Sequence, residues 1–371
     1  MSNSAIRGVD LGTMFFQVAE SAEDKQINIK TTRNAFVELA ESEDIEDVLS
    51  QNKWQYVKDG KKYYVIGEDS LRVAKMFPGK VELRRPLRDG VLNKGEEKKM
   101  LILAELIESS IGIAPDDNSL VCFCVSSQSV DGSADSTFHK ARLSGMFKRL
   151  KWNTKVIEEG MAIILSERPT VIEPDGEESP YSGIGISFGA GRVNCVLAYK
   201  GLQVIGMSCA RSGDWIDKKV SEQTDTPISQ VTSKKEKSLD FNNIDYDDDV
   251  LFALDAYYGS MIEFVFGHFS KKFSEVKSQF DAPLDIVVAG GTSMPKGFCD
   301  KIEEVIRGLD LPFEVKSIRR ASDPVNTVVK GCLTQAMVSQ KKLAKDKIET
   351  KEEKPVSLEK KADDLSDILG E

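Results

Sequence analysis

Three short glycine-bearing stretches carry residue types whose spacing suits phosphate chemistry. In Asp10-Leu11-Gly12-Thr13 a carboxylate stands just ahead of a glycine and a hydroxyl. Asp10 suits the water shell of a hydrated Mg²⁺, while Gly12 and Thr13 offer N–H and hydroxyl donors to phosphate. In residues 182–204, SGIGISFGAGRVNCVLAYKGLQV, two alternating strands meet at Gly189 and Gly191. That turn is expected to use conformations only glycine adopts cheaply and to bare N–H groups toward an anion. In LDIVVAGGTSMPKGFC a strand ends at Ala289, and Gly290-Gly291-Thr292 precede a helix, where backbone approaches a ligand closely. Each stretch alone also reads as a plain turn.

Two helix starts add polar candidates. VIEEGMAIILSE opens on Glu158 and Glu159, acids that the helix dipole favours whether or not they have a chemical role. ARSGDWIDKKV places Gly213 and Asp214 at a helix entry, with Asp217 a turn later.

The elements that must position these residues follow an α/β pattern. IRGVDLGTMFFQVA reads as a hairpin, residues 24–83 as a small unit of short strands and helices, and LILAELIESS as a helix with Leu101, Ala104, Leu106 and Ile107 on its apolar face. SLVCFCVSS is a buried strand with a polar carboxyl edge. A helix over 136–148, a strand over 154–157 and a Pro-, Glu- and Gly-rich loop over 168–182 complete the first half. Residues 220–280 read as mainly helical, with a solvated acidic run at Asp245–Asp249; a strand over 313–318 and the helix of ASDPVNTVVKGCLTQA close the chain's folded part.

At 371 residues, 40% hydrophobic and 30% charged, the chain suggests two lobes with ample core material. A formal charge of −10 excludes nucleic-acid binding by bulk attraction. No apolar run approaches the roughly 18 residues of a membrane span, and MSNSAIRGVD has no signal-peptide pattern, so the expected location is the cytoplasm. Cys122, Cys124, Cys195, Cys209, Cys299 and Cys332 lack metal-ligand spacing and read as small buried hydrophobes. With only His139 and His268, neither a histidine triad nor a histidine zinc site is expected.

Six segments in order resemble the actin-like ATPase superfamily, and within it the bacterial actin MreB: VDLGT, VIGEDSLRVAKMFPGKVELRRPLRDGV, VIEEGMAIIL, ARSGDWID, IVVAGGTSMPKGF and SDPVNTVVKGC. The resemblance covers about residues 6–340. It implies two related lobes, each a mixed sheet with helices, around a nucleotide cleft: lobe I over 1–180, with a small subdomain at about 35–83 and the closing helix 322–340, and lobe II over 181–321, with a small subdomain at about 213–280. It implies ATP or ADP with Mg²⁺ as ligand. Asp10 (through water), Gly12 and Thr13 would face metal and phosphates together with Gly189, Gly191 and Arg192. Gly290, Gly291 and Thr292 would line the adenosine, Gly213 and Asp214 the ribose, and Glu159 would orient the attacking water. Lys235 and Lys237 fall near the family's base-contacting helix.

The departures shape the expected activity. The family's second phosphate loop begins with an aspartate where this chain has Ser187, and a hydroxyl lacks the charge to hold the metal's water shell, so slow or lost hydrolysis is expected. Gly160 replaces a proline of the connecting helix. Arg192 either approaches the terminal phosphate or points to solvent. The resemblance implies self-assembly into filaments and a role in cell shape; a non-polymerising ATP-binding scaffold is the alternative. Beyond Gln340 a charged tail over 341–371 ends with Leu358, Ala362, Leu365, Ile368 and Leu369 at helical spacing, a face suited to a protein partner. Membrane association is left open, and Met76-Phe77 reads as a core contact more readily than as an apolar tip.

Overall fold

The computed structural model describes residues 4–22, 26–92, 97–134, 136–173, 175–276 and 282–352. The chain begins with β1 (Ile6–Leu11), β2 (Phe15–Ser21) and β3 (Ile27–Arg33), an antiparallel meander. A three-stranded sheet follows, made of β4 (Phe36–Ala40), β5 (Tyr56–Asp59) and β6 (Lys62–Ile66), with helices α1 (Ile45–Gln51) and α2 (Gly67–Met76). After α3 (Glu97–Ile111) come β7 (Leu120–Val125), α4 (Ser136–Arg149) and β8 (Asn153–Glu158). The first sheet has the order β3-β2-β1-β7-β8, with β1, β7 and β8 parallel.

The second sheet repeats that plan. From α5 (Glu159–Glu167) the chain passes through the ribbon β9 (Thr170–Ile172) and β10 (Glu178–Pro180) into the meander β11 (Gly183–Phe188), β12 (Val193–Tyr199) and β13 (Leu202–Cys209). Helices α6 (Gly213–Thr224), α7 (Ile228–Lys237) and α8 (Asp249–Glu275) precede β14 (Leu284–Ala289), α9 (Phe298–Ile306), β15 (Val315–Arg320) and α10 (Thr327–Glu352). The order is β13-β12-β11-β14-β15, again three antiparallel strands and then two parallel additions. The repetition makes β1 and β11 equivalent, so the turn after each emerges at the same edge of its sheet.

Each sheet packs its own helices, and small residues fill the space between the two. Leu143 and Phe147 of α4 and Leu103 and Ile107 of α3 cover one face of the first sheet. Leu254, Tyr258, Ile262 and Phe266 of α8 cover the second. Between the sheets lie Cys122, Cys124, Ala162, Ala289, Cys332 and Ala336. The approach there is close: a Cβ at Gly160 would stand 2.7 Å from the carbonyl oxygen of Gly185, so α5 rests on β11 glycine against glycine. All six cysteines are free and only Cys299 is partly exposed, as their apolar surroundings predict.

Several expectations are corrected. The segment 168–182 is a short antiparallel ribbon, β9 with β10, rather than a plain loop. Of the apolar face expected for α3, Ala104, Leu106 and Ile107 are buried, joined by Ile102 and Leu103, while Leu101 is half exposed. Met76 and Phe77 are 58% and 43% exposed, because α2 ends there and its buried side is already filled by Ser70 and Val73. Helix α8, at 27 residues, is long and apolar enough by composition to cross a membrane, contrary to the reading of the sequence; half of its most apolar window is buried against the second sheet, which accounts for that composition. Asp248, within the acidic run, is an N-cap whose carboxylate accepts from Val250 and Leu251 N–H at 3.0 and 3.1 Å.

Among the described residues, those up to Ala336 form one compact unit and those from Met337 to Glu352 belong to a second. Helix α10 carries the charged stretch after Gln340 as far as Glu352. The apolar tail positions Leu358, Leu365, Ile368 and Leu369 lie outside the described residues.

Candidate nucleotide cleft

The turn between β1 and β2 is held by a side chain from further along the chain: Asn34 Nδ2 donates to the Gly12 carbonyl at 2.9 Å. Asp10 is one residue inside the end of β1, and Thr13 is 8% exposed. In the turn between β11 and β12, Gly189 N–H donates to the Arg192 carbonyl at 3.0 Å. The carbonyl of Gly189 accepts from Gly213 N–H at 3.1 Å and from Thr292 Oγ1 at 2.9 Å. That of Ala190 accepts from Asp214 N–H and Ser212 Oγ, both at 2.7 Å. Occupied carbonyls leave such a turn offering N–H groups rather than lone pairs to an anion.

Gly189 and Gly191 do not use the left-handed conformations that the sequence suggests; they serve by being small. A Cβ on Gly191 would stand 2.8 Å from the backbone nitrogen of Gly90, and one on Gly189 would stand 2.8 Å from the Arg192 carbonyl oxygen. Gly290 does need its freedom: its φ is +93°, and its N–H donates to the Pro324 carbonyl at 2.8 Å, turning the chain from β14 into the short 3₁₀ helix Gly291–Ser293.

These turns open on one cleft of about 460 Å³. Asp10, Gly12, Thr13, Glu159, Gly189, Gly191, Arg192, Asp214, Gly290, Gly291 and Thr292 all line it. Gly213 does not; it acts behind the wall through its hydrogen bond to Gly189. Lys235 lines the cleft, whereas Lys237 is exposed on α7 and is not part of it.

Met294, Pro295, Pro324, Val325 and Val328 give the cleft apolar lining. Lys235 Nζ pairs with Asp217 Oδ1 at 2.7 Å and donates to the Gly213 carbonyl at 3.2 Å, and Thr232 Oγ1 donates to Asp217 Oδ2 at 2.7 Å. Asp10, Glu159 and Ser187 gather at one end with the glycine turns.

The carboxyls at that end hold their protons unusually well. Burial raises Asp10 to about 6, against the pull of a hydrogen bond donated by Cys124 Sγ at 3.3 Å. Burial first, and then the charge of Asp10, raise Glu159 to about 8, opposed by hydrogen bonds from Ser187 and Asn194 and by the Arg192 charge. Two desolvated acids without a cation are the electrostatic situation that a hydrated divalent ion relieves. Among the described residues no three acidic, histidine or cysteine side chains converge as direct metal ligands, which fits an ion held through water by Asp10.

Arg192 does not point to solvent: it is 3% exposed and lines the cleft. Its guanidinium donates to the Asp89 carbonyl at 2.9 Å, Ser208 Oγ at 3.0 Å and Ser133 Oγ at 2.7 Å. Asp214 is likewise engaged, by Arg85 Nη1 at 2.7 Å.

The reading of the sequence left several members unassigned. Asn194 pairs with Ser187 across β11 and β12, a placement legible in the hairpin register, yet nothing in its local sequence marks it as polar floor. Tyr258 Oη donates to the Thr292 carbonyl at 3.1 Å from the middle of α8, where apolar periodicity hides it. Asp217 was visible as an acid one turn after Asp214; its pairing with Lys235 required the fold.

Comparison with solved structures agrees with this architecture. A MamK double-helical filament structure superposes with a TM-score of 0.64 at 17% identity, covering 90% of this chain and 99% of that one. MreB 5 of Spiroplasma citri bound to AMPPNP gives 0.60 at 13% identity, with 94% and 99% covered. A non-polymerising MamK mutant bound to AMPPNP gives 0.53 at 16%, with 91% and 100% covered. The fold is therefore actin-like. A search of curated protein sequences finds no match. Residues 6–336 match the volactin family, and with the equivalent hairpins and shared cleft already described, the chain belongs to that family.

Proposed function

We propose that this chain binds ATP or ADP with Mg²⁺ in the cleft and assembles head to tail into cytoplasmic cytoskeletal filaments, hydrolysing ATP slowly or not at all. The observation that carries the reading is the convergence of three turns, from β1–β2, β11–β12 and β14, on one cavity lined by both apolar side chains and backbone donors. That mixed lining suits a nucleoside and its phosphates. The neighbours support it: the MamK structure is a filament, and MreB 5 of Spiroplasma citri is bound to AMPPNP.

Gly12, Thr13 and Gly191 would donate to the phosphates, with Gly189 shaping the turn, Asp10 would accept from the water shell of the ion, and Gly290, Gly291 and Thr292 would pack against the nucleoside, with Asp214 at the ribose edge. The bound Mg²⁺ would neutralise phosphate charge. Glu159 would orient the attacking water, and Ser187 brings no charge to help. The missing charge at Ser187 favours slow turnover. The β1 sheet with its attached small sheet would form lobe I and the β11 sheet lobe II, with nucleotide bridging them; a subunit whose two ends differ assembles into open filaments.

Phosphate release and electron microscopy on the purified chain with ATP, ADP and no nucleotide test the reading. Filaments with phosphate release far slower than assembly are expected. Persistent monomers under every condition would favour a non-polymerising scaffold, and rapid turnover would contradict the role given to Ser187.

A further inference from the structure

A second groove, of about 660 Å³, opens between the first half of α4, the strand β8 and the turn joining β12 to β13. Val125, Val156, Ile157 and Met161 supply its apolar surface. Leu202 joins them although it is 72% exposed, set there by a tight turn in which Lys200 and Gly201 both have positive φ. Strand β8 is the edge of the first sheet, and among the described residues no further strand covers this side.

Two cations and one carboxylate border the groove: Lys140 and Lys155 are exposed, and Glu158 accepts a hydrogen bond from Ser127 Oγ. The two lysines belong to a run from Ser136 to Ile157 that holds Lys140, Arg142, Lys148, Arg149, Lys151 and Lys155 and no acid, in a chain whose net charge is −10. Helix α4 buries His139, Leu143 and Phe147, which turns its cations outward. The groove mixes its apolar side chains with polar ones such as Gln128, Gln203 and Gln335, and an apolar strip beside two exposed lysines is complementary to a helix whose apolar face is flanked by acids.

The chain contains such a segment. Leu358, Ala362, Leu365, Ile368 and Leu369 recur at helical spacing, and from Ala362 to Glu371 the charges are Asp363, Asp364, Asp367 and Glu371, with no cation. We propose that the groove receives residues 356–371 of a second copy of this chain, with the leucine and isoleucine side chains against the apolar surface and the aspartates against Lys140 and Lys155. The groove shares no lining residue with the nucleotide cleft, although Glu158 of the one is followed in the chain by Glu159 of the other.

The test uses the full chain without nucleotide, which separates its outcome from that of the cleft. Fluorescence anisotropy with a labelled peptide of residues 356–371 is expected to show saturable binding. Lys140→Glu with Lys155→Glu should weaken it at least about tenfold, and a peptide carrying Asp363→Lys, Asp364→Lys and Asp367→Lys should recover most of the loss on that variant. A photo-crosslinking residue placed at position 202 in an unlabelled copy should capture the tail of an isotopically heavy copy. Absence of saturable peptide binding, binding indifferent to both lysines, or crosslinks confined to one copy would overturn the proposal. So would lysine-dependent capture of anionic phospholipid vesicles or duplex DNA in place of the peptide.

Discussion

Arg192 Nε donates at 2.9 Å to the carbonyl oxygen of Asp89, tying the turn of the second sheet to the segment that precedes α3. The same side chain packs on Gly90, whose φ is +78° and whose added Cβ would stand 3.0 Å from Arg192 Cβ. Arg192 therefore fixes the wall of the cleft of which it is part. Replacing it with Ala leaves Ser208, Ser133 and the Asp89 carbonyl without their donor. A buried group left unsatisfied costs about 1–3 kcal/mol, and a loss in that range is expected in urea unfolding of Arg192→Ala. Gly90→Ala should cost about 1–3 kcal/mol through its backbone conformation. A neutral result for both would remove the tie from the account.

Helix α5 and strand β11 meet at Gly160 and Gly185 without room for a methyl group. Gly160→Ala should lose about 1–3 kcal/mol by overpacking, with the helix forced off the sheet. The proline that the resembling bacterial actins carry there is excluded by the same contact. Thermal unfolding of Gly160→Ala and Gly185→Ala checks this, and an unchanged midpoint in both would show that the approach relaxes freely.

His139 is buried in α4, where Nδ1 accepts from Leu92 N–H at 3.1 Å, and burial lowers its pKa to about 4. The unfolded chain protonates this ring near its ordinary 6.5, so the unfolded state binds more protons between pH 6.5 and 4. The contribution is complete above that window and falls away as the pH drops through it, by about 3 kcal/mol. Denaturant titrations of the wild type and His139→Gln at pH 7, 5.5 and 4 should show the wild type losing stability relative to the variant on acidification. Parallel curves would contradict the assignment.

Ser187 sits at 4% exposure beside Glu159, and at this position a carboxylate would face the phosphate end of the cleft. With Mg²⁺ and ATP, Ser187→Asp should raise phosphate release by about tenfold or more, the scale typical of a restored charge-stabilising group. If release stays at the wild-type rate, the slow turnover has another origin.

Much of this site is legible in the sequence because turns announce themselves through glycine. Gly12, Gly191 and Gly290 mark the three corners, and the alternation around Ile184, Ile186 and Phe188 fixes the strand that leads to one of them. What glycine identity does not reveal is why it is needed: Gly290 requires its φ, whereas Gly191 requires space beside Gly90, a residue far earlier in the chain. The course of Arg192 was hidden for the same reason, since its acceptors Asp89 and Ser133 are distant in the chain. Met76 and Phe77 carried an apolar signal that burial alone could interpret, and burial is a property of the assembled fold.

Nucleotide binding to the cleft is the central claim, and equilibrium dialysis with radiolabelled ATP and Mg²⁺ measures it directly. The wild-type chain should bind one nucleotide per chain, and Gly191→Ala, whose methyl group would press on Gly90 and Thr13, should weaken that binding by about tenfold or more while leaving the circular dichroism spectrum intact. A wild-type chain that retains no nucleotide, or a Gly191→Ala variant that binds it equally well, would contradict the account.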